Sequence, residues 1–369
     1  MNNAEIHLQE ALAAFDFGAP VVGAIRYGKG HINDTFCVHT QPEDDCCRCF
    51  ILQRISNAAF KHPEQLMSNI AAITDFLGQK IAASGGDPHR ETLQVLRTRD
   101  GASFYTDSDG RAWRVYPYIK DTCCYQSAET SELFAAAARA FGQFQRMLSD
   151  FPAASLYEVI PHFHDTEDRL RKLKEAIVQD PLGRKAQCTA EIQFALAREE
   201  DCSVALQAQR DGVLPLRVTH NDTKLNNVLI DKLTGQGICV IDLDTTMPGL
   251  SINDFGDSIR FGANHCAEDE QDLSKVNFDI ALYETYAKSF LEGACGSLTD
   301  AEIDYLPWGA KLMTLECGMR FLTDYLMGDT YFRIHRPEHN LDRCRTQFKL
   351  VQDMENCWTT MNAVISRLK

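Results

Sequence analysis

The sequence predicts an α+β protein of two lobes, in which a small antiparallel β lobe precedes a large, mainly helical lobe. Residues 1–116 contain short strand-like runs separated by glycine and Asp-Gly turns. Most of the remaining chain has apolar residues at helical spacing, and only residues 213–245 interrupt that pattern with strands. A chain of 369 residues is long enough for two lobes and a sizeable core.

The predicted elements of the β lobe follow one another in a simple order. An amphipathic helix is predicted at the start of the chain. A strand, a glycine turn and a second strand are predicted in VVGAIRYGKGHINDTFCVHT, and a third strand is predicted in RCFILQRI. In HPEQLMSNIAAITDFLGQ the spacing of Leu66, Ile70 and Ile73 is helical. The Asp-Gly pairs of TRDGAS and TDSDGRAW then predict two short hairpin turns.

Residues 117–121 are the predicted hinge, and residues 122–369 form the predicted helical lobe. The helical pattern begins in SAETSELFAAAARAFGQFQRML, and prolines such as Pro152 mark its breaks. Asp165 is the expected N-cap of the helix in PHFHDTEDRLRKLKEAI. Two long helical patterns fill residues 300–369.

The net charge of −15 makes non-specific binding to nucleic acid or to an anionic membrane unfavourable. No stretch approaches the roughly eighteen apolar residues of a membrane span, and no secretory leader pattern opens the sequence. We therefore expect a cytoplasmic protein whose partners are small molecules. The sequence does not indicate an oligomeric state.

The 14 cysteines are expected to be reduced, because disulfide frameworks belong to short secreted chains. The densest cluster, DDCCRC, contains Cys46, Cys47 and Cys49. Zinc ligands usually come as spaced pairs that surround a tetrahedron, and this spacing does not match that pattern. A turn rich in small residues is therefore preferred to a metal site in this segment.

The stretch THNDTKLNNVLID, residues 219–231, concentrates polar side chains in front of a strand. That strand, a turn and ICVIDLD form a predicted hairpin, which brings Asp242 beside Asn227. A carboxylate and an amide are suitable oxygen ligands for Mg²⁺. Since side chains alternate along a strand, Asp244 is expected to face the same way as Asp242 and to support the metal or the substrate.

Within this stretch, HNDTKLNN fits the catalytic-loop frame of protein kinases: His, any residue, Asp, four residues, Asn. In that frame Asp222 is the general base, Asn227 a metal ligand and His220 the brace of the loop. Lys224 is placed to reach the transferred phosphate. The alternative is a capped turn whose side chains bond the local backbone. The second Asp-bearing strand and the upstream glycine turn favour catalysis in a protein-kinase-like architecture.

Longer stretches carry a resemblance to a known family. They are THNDTKLNNVLID with VIDLDTTMPGLSINDFGDSIRFGA, then YGKGHINDTF, IPHFHDT, TLECGMRFLTDYLMGDTYF and NLDRCRTQFKLVQDME. Together they resemble the aminoglycoside phosphotransferase and choline kinase superfamily, and within it the N-acetylhexosamine 1-kinases, over nearly the whole chain. The resemblance implies a kinase-like fold, ATP with Mg²⁺, and phosphorylation of the anomeric hydroxyl of N-acetylglucosamine or N-acetylgalactosamine.

The resemblance also implies nucleotide-binding residues in the β lobe. GKGHINDTF is similar to the nucleotide loop of the family, in which Gly28 and Gly30 let backbone amides approach phosphate and Asn33 occupies a recurrent position. Protein kinases carry a lysine on the third strand. Here FILQRI has Gln53 at that place, which leaves Arg54 as the nearest cation.

In the hinge segment RVYPYIKD, Pro117 and Tyr118 are the residues expected beside adenine. A plain edge strand that ends at a proline is the alternative interpretation.

For the acceptor, the resemblance implies contacts with the sugar from His31, Arg320 and Tyr331. However, Glu316, Arg320 and Asp324 are spaced by four residues on one predicted helix. A solvated ladder of ion pairs explains that spacing equally well.

Some polar residues of the helical lobe are expected to be structural. His162 and His164 form an i, i+2 pair in a loop, which more often caps or packs than binds metal. Asp254 and Asp257 are expected to steady the metal-binding region or to pair with Arg260.

The expected reaction is a direct in-line transfer in which Asp222 takes the proton of the C1 hydroxyl. A kinase of the same fold that acts on an aminoglycoside or on choline is a competing interpretation. A cationic acceptor would require several acids around the cleft, whereas a neutral amino sugar requires mixed donors and acceptors. A non-catalytic nucleotide-binding module is a competing function of a different class, and a metal-dependent hydrolase is a more distant one.

Overall fold

Five antiparallel strands form the first sheet of the computed structural model, which describes residues 3–28, 33–42 and 48–369. These strands are β1 (Val21–Arg26), β2 (Asp34–Thr40), β3 (Cys49–Arg54), β4 (Tyr105–Thr106) and β5 (Ala112–Pro117). Their order in the sheet is β1-β2-β3-β5-β4. The predicted turn in TDSDGRAW joins β4 to β5, where the backbone nitrogen of Gly110 donates to the carbonyl oxygen of Asp107 (2.9 Å).

Alternation along the strands gives this sheet two different faces. One face packs apolar side chains such as Leu52 against the first helix, α1 (Asn3–Ala14). Gln53 projects from the opposite face, where its Nε2 donates to Thr35 Oγ1 (3.2 Å) and its Oε1 accepts from Arg114 Nε (3.0 Å). We call this second side the cleft face, because it is turned towards the helical lobe.

Helix α2 (Pro63–Ala83) fastens the first sheet to the rest of the molecule. Its buried side includes Leu66 and Ile70, as the helical spacing predicts. Asn69 on the same side donates from Nδ2 to the carbonyl oxygens of Tyr157 (2.8 Å) and Thr246 (3.2 Å). The helix therefore bonds directly to Thr246, whose neighbour Thr245 accepts a hydrogen bond from Asn221 in the loop with the kinase-like frame.

The second lobe is mainly helical. The remaining helices are α3 (Pro88–Glu91), α4 (Ser131–Met147), α5 (Thr166–Gln179), α6 (Thr189–Leu196), α7 (Val204–Arg210), α8 (Ser251–Gly262), α9 (Ile280–Ala294), α10 (Asp300–Asp304), α11 (Leu306–Met327), α12 (His339–Asn356) and α13 (Trp358–Leu368). Helices α4 and α9 cross closely, since a Cβ on Gly142 would lie 2.1 Å from the carbonyl oxygen of Phe290. None of the helices in the described part of the chain is long and apolar enough to cross a membrane.

Two small sheets frame the segment with the kinase-like motif. The strands β6 (Thr122–Cys123), β8 (Val228–Asp231) and β9 (Gly237–Val240) form one sheet, and β7 (Arg217–Thr219) and β10 (Met247–Gly249) form the other. The loop between β7 and β8 therefore has both ends fixed in sheets. This arrangement positions the candidate site.

The C-terminal part of the chain differs from the expectation of two long helices. The helix α12 ends at Asn356, and the backbone nitrogen of Cys357 donates to the backbone carbonyl oxygen of Asp353 (3.0 Å). The chain then turns into α13, because the Trp358 ring packs edge to face on Trp308 of α11 (4.9 Å between centroids). The predicted N-cap of α5 is confirmed, since Asp165 Oδ1 accepts the backbone N–H of the third helical residue (2.9 Å).

Candidate active site

One buried carboxylate holds the backbone of the catalytic loop, residues 220–227. Asp254 of α8 accepts hydrogen bonds from the backbone nitrogens of His220 (2.9 Å) and Asn221 (2.8 Å). Its Oδ2 also accepts from Gln145 Nε2 (2.6 Å). Burial raises the pKa of Asp254, although the hydrogen bonds from the two backbone donors and from Gln145 oppose that rise. These contacts give Asp254 the structural role that the sequence suggests.

His220 braces the catalytic loop from the inside. Its ring is buried against Phe141 and Phe144, with centroid separations of 5.6 and 6.0 Å. The ring Nδ1 accepts the backbone N–H of Asp222 (3.2 Å), and Nε2 lies 2.9 Å from the carbonyl oxygen of Ile241. Because a carbonyl oxygen only accepts, these contacts assign the hydrogen to Nε2 and make the ring neutral. The ring thereby fixes the orientation of the loop.

The Asp222 carboxylate lies between a cation and an amide. Its Oδ1 is 2.7 Å from Lys224 Nζ, and its Oδ2 accepts from Asn227 Nδ2 (3.1 Å). The same amide nitrogen donates to the Asp222 carbonyl oxygen (2.8 Å). Burial lowers the pKa of Lys224, but the carboxylates of Asp222 and Asp257 outweigh burial and raise it. A charged lysine therefore accompanies a carboxylate that is still 28% exposed.

Asp242 reaches the same space from the end of β9. The hairpin brings Asn227 and Asp242 together, because the Ile241 backbone nitrogen donates to the Asn227 carbonyl oxygen (2.9 Å). The Asp242 side chain is exposed to the cleft, yet the surrounding protein and then the carboxylates of Asp244 and Asp222 raise its pKa to about 6. Carboxylates that repel one another in this way favour a bound cation. Carboxylate and amide oxygens are the hard ligands that Mg²⁺ prefers.

Asp244 is engaged differently from Asp242. Its Oδ1 accepts from Arg114 Nη1, and its Oδ2 accepts from Asn33 Nδ2 (2.6 Å). The expectation that Asp242 and Asp244 alternate along one strand is wrong. The strand β9 ends before Asp242, which has a φ of +60°, and Leu243–Thr245 form a 3₁₀ turn. A direct contact of Asp244 with metal stays a prediction, and both of its oxygens already have protein donors.

Arg114 is a functional candidate that the sequence reasoning missed. It is only 1% exposed on the cleft face and bridges the two lobes through Gln53 and Asp244. Burial lowers the pKa of Arg114, but the Asp244 carboxylate outweighs burial and raises it. One signal in the sequence points to it: an arginine inside the apolar strand AWRVYP needs a buried partner.

Arg54, the cation proposed for the nucleotide phosphates, lies on the other face of the sheet. Its Nη2 pairs with Asp34, and its guanidinium carbon is 5.9 Å from the ring centroid of Trp113. This position does not agree with the predicted phosphate contact, because strand alternation turns Arg54 away from the cleft face.

The predicted nucleotide loop lies partly within the described residues. Gly28 has a φ of +75°, which is a left-handed conformation that glycine adopts without strain. Asn33 accepts the backbone N–H of Ser56 at its Oδ1 (3.0 Å) and donates to Asp244. Asn33 thus ties the end of this loop to the turn after β9. Gly30 and His31, which were also proposed in this segment, lie outside the described residues.

The proposed hinge follows the last strand of the first sheet. Pro117 ends β5, and the backbone nitrogen of Tyr118 donates to the Cys49 carbonyl oxygen (3.0 Å). The hydroxyl oxygens of Tyr118 and Tyr27 are 3.5 Å apart, and their rings meet edge to face. The next strand begins at Thr122 in a different sheet. A contact of Pro117 or Tyr118 with adenine stays a prediction.

On the helical side of the cleft, the alternative interpretation of α11 as a solvated ladder of ion pairs is wrong. Glu316 is 1% exposed and Asp324 is 5% exposed, so neither carboxylate is solvated. Asp324 Oδ1 accepts the backbone N–H groups of Thr330 (2.9 Å) and Tyr331 (2.8 Å), and thereby shapes the segment after α11. The four-residue spacing of Arg320 with these acids therefore does not produce ion pairs on a solvated surface.

Arg320 is held by aromatic rings. Its guanidinium carbon lies 5.5 Å from the ring centroid of Phe163, 5.9 Å from that of Tyr331 and 5.4 Å from that of Phe332. In the described part of the chain its N–H groups have no hydrogen-bond acceptor. Tyr331 is 72% exposed beside it. Arg320 and Tyr331 are thus brought together, and their contact with a sugar stays a prediction.

His164 links α11 to the catalytic loop. Its Nδ1 lies 3.0 Å from Glu316 Oε1, and its Nε2 lies 3.1 Å from the Asn221 carbonyl oxygen. Both partners are acceptors, so both ring nitrogens carry hydrogen and the ring is an imidazolium. Burial lowers the pKa of His164, but the carboxylates of Glu316 and Asp257 outweigh burial and raise it. The neighbouring His162 bonds to the helix cap instead.

The chain matches a model of the phosphotransferase enzyme family, APH, over residues 23–288. Its fold is similar to that of the amicoumacin kinase hAmiN in complex with AMP-PNP, Ca²⁺ and Ami. The TM-score is 0.62 and the sequence identity is 13%, and the match covers 96% of this chain and 94% of that chain. A microcompartment-associated aminopropanol kinase matches with a TM-score of 0.56 and 16% identity, over 98% and 99% of the two chains. A choline/ethanolamine kinase family protein from Mesorhizobium loti matches with a TM-score of 0.53 and 18% identity, over 100% of each chain. The predicted fold class, a small antiparallel β lobe with a large helical lobe, is confirmed.

Proposed function

We propose that this chain, which belongs to the phosphotransferase enzyme family, is an ATP-dependent kinase. Its proposed reaction is phosphorylation of the anomeric C1 hydroxyl of an N-acetylhexosamine. The observation that carries this proposal is the convergence of Asp222, Asn227 and Asp242 at the cleft between the lobes. A general base and a pair of hard oxygen ligands are the groups that phosphoryl transfer needs from a protein.

Asp222 is the proposed general base. Its carboxylate is oriented by Lys224 and Asn227 and remains partly open, so an acceptor hydroxyl can approach it. Asp222 accepts the hydroxyl proton as the acceptor oxygen attacks the terminal phosphorus of ATP. The bond between that phosphorus and the bridging oxygen breaks, and ADP leaves with the electron pair. Lys224 is close enough to the carboxylate to interact with the transferred phosphoryl group.

Asn227 and Asp242 are the proposed ligands of Mg²⁺. The crowding of carboxylates that raises the pKa of Asp242 supports a divalent cation at this place. When bound, Mg²⁺ neutralises negative charge on the phosphates. The complex of the amicoumacin kinase with AMP-PNP and Ca²⁺ further supports a nucleoside triphosphate and a divalent cation for this fold. Arg114 holds Asp244 in place next to these ligands.

The charges on the acceptor side favour a neutral acceptor over a cationic one. The two acids that lie one helical turn from Arg320 on α11 are committed to protein donors: Glu316 to His164, and Asp324 to backbone N–H groups. Arg320 instead offers N–H donors at an aromatic wall. Sugar hydroxyls and an N-acetyl carbonyl are acceptors for such donors, and aromatic rings pack on the apolar faces of sugars. Choline and aminoglycosides are cations that would be repelled by Arg320.

A panel of acceptors tests the proposal. ADP production is measured with ATP and Mg²⁺ in the presence of N-acetylglucosamine, N-acetylgalactosamine, choline or an aminoglycoside. We expect turnover with the N-acetylhexosamines, and much less with the two cations. Turnover with a cationic acceptor alone would refute the sugar assignment but keep the kinase. A thermal shift with ATP and Mg²⁺ but no turnover on any acceptor would support a non-catalytic nucleotide-binding module.

A further inference from the structure

A cluster of metal-ligating side chains on the cleft face shares no residue with the proposed catalytic site. Cys37 and His39 occupy alternate positions of β2 and therefore project from the same face. Cys49 of β3 is the register partner of His39 in the antiparallel pair. One donor atom from each of the three residues lies within 4.8 Å of the others, and Cys49 Sγ is 3.3 Å from His39 Nδ1.

The donors match the preference of zinc. Thiolate sulfur and imidazole nitrogen are its usual protein ligands, with bond lengths of about 2.3 and 2.0 Å. Two sulfurs on a tetrahedral zinc ion are then about 3.8 Å apart, so donors already within 4.8 Å need only small side-chain rotations. Cys37 is buried, whereas His39 and Cys49 are half-buried. The cluster is therefore partly accessible to solvent, so water can supply a fourth ligand.

The strand pairing makes this cluster a rigid template. Directly opposed residues of an antiparallel pair have Cβ atoms about 4.5–5.5 Å apart, and the backbone hydrogen bonds hold that separation. This set differs from the one that the sequence drew attention to, because only Cys49 belongs to both. Cys46 and Cys47 of the DDCCRC segment lie outside the described residues.

We propose that Cys37, His39 and Cys49 bind one Zn²⁺ ion. Binding releases the two thiol protons to solvent and leaves neutral imidazole as the third ligand. The site shares no ligand with the proposed Mg²⁺ site, and its chemistry differs, because soft sulfur donors do not select Mg²⁺. It lies next to the hinge, since the carbonyl oxygen of Cys49 accepts the backbone N–H of Tyr118 (3.0 Å). The ion would thus join β2, β3 and the start of the hinge into one unit.

Cobalt titration of the full-length, chelator-treated protein tests this site. Co²⁺ bound by thiolates gives sulfur-to-metal charge-transfer absorption that carboxylate ligands do not give, and an excess of Mg²⁺ blocks the oxygen site. We expect the absorption to saturate at one equivalent of Co²⁺ and to disappear when one equivalent of Zn²⁺ is added. We also expect Zn²⁺ to raise the unfolding temperature.

Two variants and two controls make the result decisive. Cys49→Ser and His39→Gln are each expected to weaken Co²⁺ binding by at least tenfold, and their unfolding temperature without metal shows whether they fold. Cys295→Ser, an exposed cysteine of the helical lobe, should bind Co²⁺ like the wild type. No thiolate absorption in the wild type overturns the proposal. The proposal is also overturned if the absorption survives in both variants but is lost in a protein with Cys46→Ser and Cys47→Ser together.

Discussion

The catalytic loop and the acceptor side of the cleft are both rich in polar residues, but the protein holds them in opposite ways. In the loop, residues 220–227, the backbone and the His220 ring are bonded to buried groups such as the Asp254 carboxylate. On the acceptor side, Arg320 is held by ring faces, and its N–H groups have no acceptor in the described part of the chain. One region is saturated with internal hydrogen bonds, and the other presents unmatched donors.

This difference follows from what the two regions are proposed to do. A general base must stay within hydrogen-bond reach of the proton that it accepts, so the fold fixes its position. A binding wall must exchange its polar partners between water and a ligand, so the fold leaves those donors unmatched. The loop would then determine the reaction, and the wall would determine the acceptor.

Replacing Asp222 by asparagine tests the loop and is expected to have the largest effect. The amide cannot take the acceptor proton, and the loss of a general base lowers turnover by roughly 10²–10⁴-fold. KM for ATP and the unfolding temperature should change little, since the amide oxygen can still accept from Asn227. Steady-state ADP production measures the effect, with Asp211→Asn, an exposed position, as the control. Near-normal turnover of Asp222→Asn contradicts the assignment of the base.

Removing Arg114 tests whether the site depends on a bond between the lobes. Removal of one member of a buried ion pair costs about 3–5 kcal/mol. Arg114→Met should therefore lower the free energy of unfolding by about that much. It should also raise KM for ATP. Arg54→Met, on the opposite face and in a partly exposed pair with Asp34, should cost about 1 kcal/mol or less. Urea unfolding of both variants measures the difference. Equal losses in the two variants would show that the bridge to Asp244 has no special role.

Replacing Arg320 by methionine tests the acceptor wall. Methionine keeps the packing against the rings but removes the donors, and a hydrogen bond to a charged group contributes about 1.5–3 kcal/mol. We expect kcat/KM for the acceptor to fall roughly 10- to 100-fold, while KM for ATP stays unchanged. Arg343→Met is the matched control, because that guanidinium also lies over a ring, Phe321, but donates to protein oxygens. An unchanged KM for the acceptor in Arg320→Met rules out the proposed contact.

The His164 link gives the smallest effect and a dependence on pH. The folded state raises the pKa of His164 above its ordinary 6.5. A raised pKa stabilises the fold below the unfolded pKa, and this contribution is lost as the pH rises through the folded pKa. Wild type should therefore exceed His164→Gln in free energy of unfolding by about 1 kcal/mol below pH ~6.5, and by less at higher pH.

The charged groups around His164 define the control for that prediction. Glu316 and Asp257 act on the ring directly, and Arg169 lies 4.0 Å from Glu316. Glu316→Gln removes the nearest carboxylate, so it should remove most of the pH dependence. Urea unfolding over a series of pH values measures it, and a difference that grows with pH has the wrong sign for the proposed link.

The sequence predicted which residues of this loop lie together, because their contacts are local. His220, Asp222 and Asn227 lie within one loop, and the following hairpin brings Asp242 to them by a short turn. The elements of the β lobe were readable for the same reason, since strand alternation and Asp-Gly turns are short-range patterns. The fold class followed from those elements.

The sequence failed where long-range contacts decide the role of a residue. Arg114 and Asp244 are 130 residues apart in the sequence, and the Glu316 partner of His164 is 152 residues away. Arg54 was a reasonable candidate from its position beside Gln53, but only the strand register shows which of the neighbouring side chains faces the cleft. Likewise, the spacing of Glu316 with Arg320 fits an exposed ladder until burial is known.

Phosphorus NMR of the reaction product decides whether the protein is a sugar 1-kinase with Asp222 as its base. Wild-type protein and Asp222→Asn are incubated with ATP, Mg²⁺ and N-acetylglucosamine. We expect a new sugar 1-phosphate resonance, coupled to the anomeric proton, that grows together with ADP for the wild type and is nearly absent for the variant. Release of inorganic phosphate alone, or a phosphate ester on another sugar oxygen, would show that the protein is not a sugar 1-kinase.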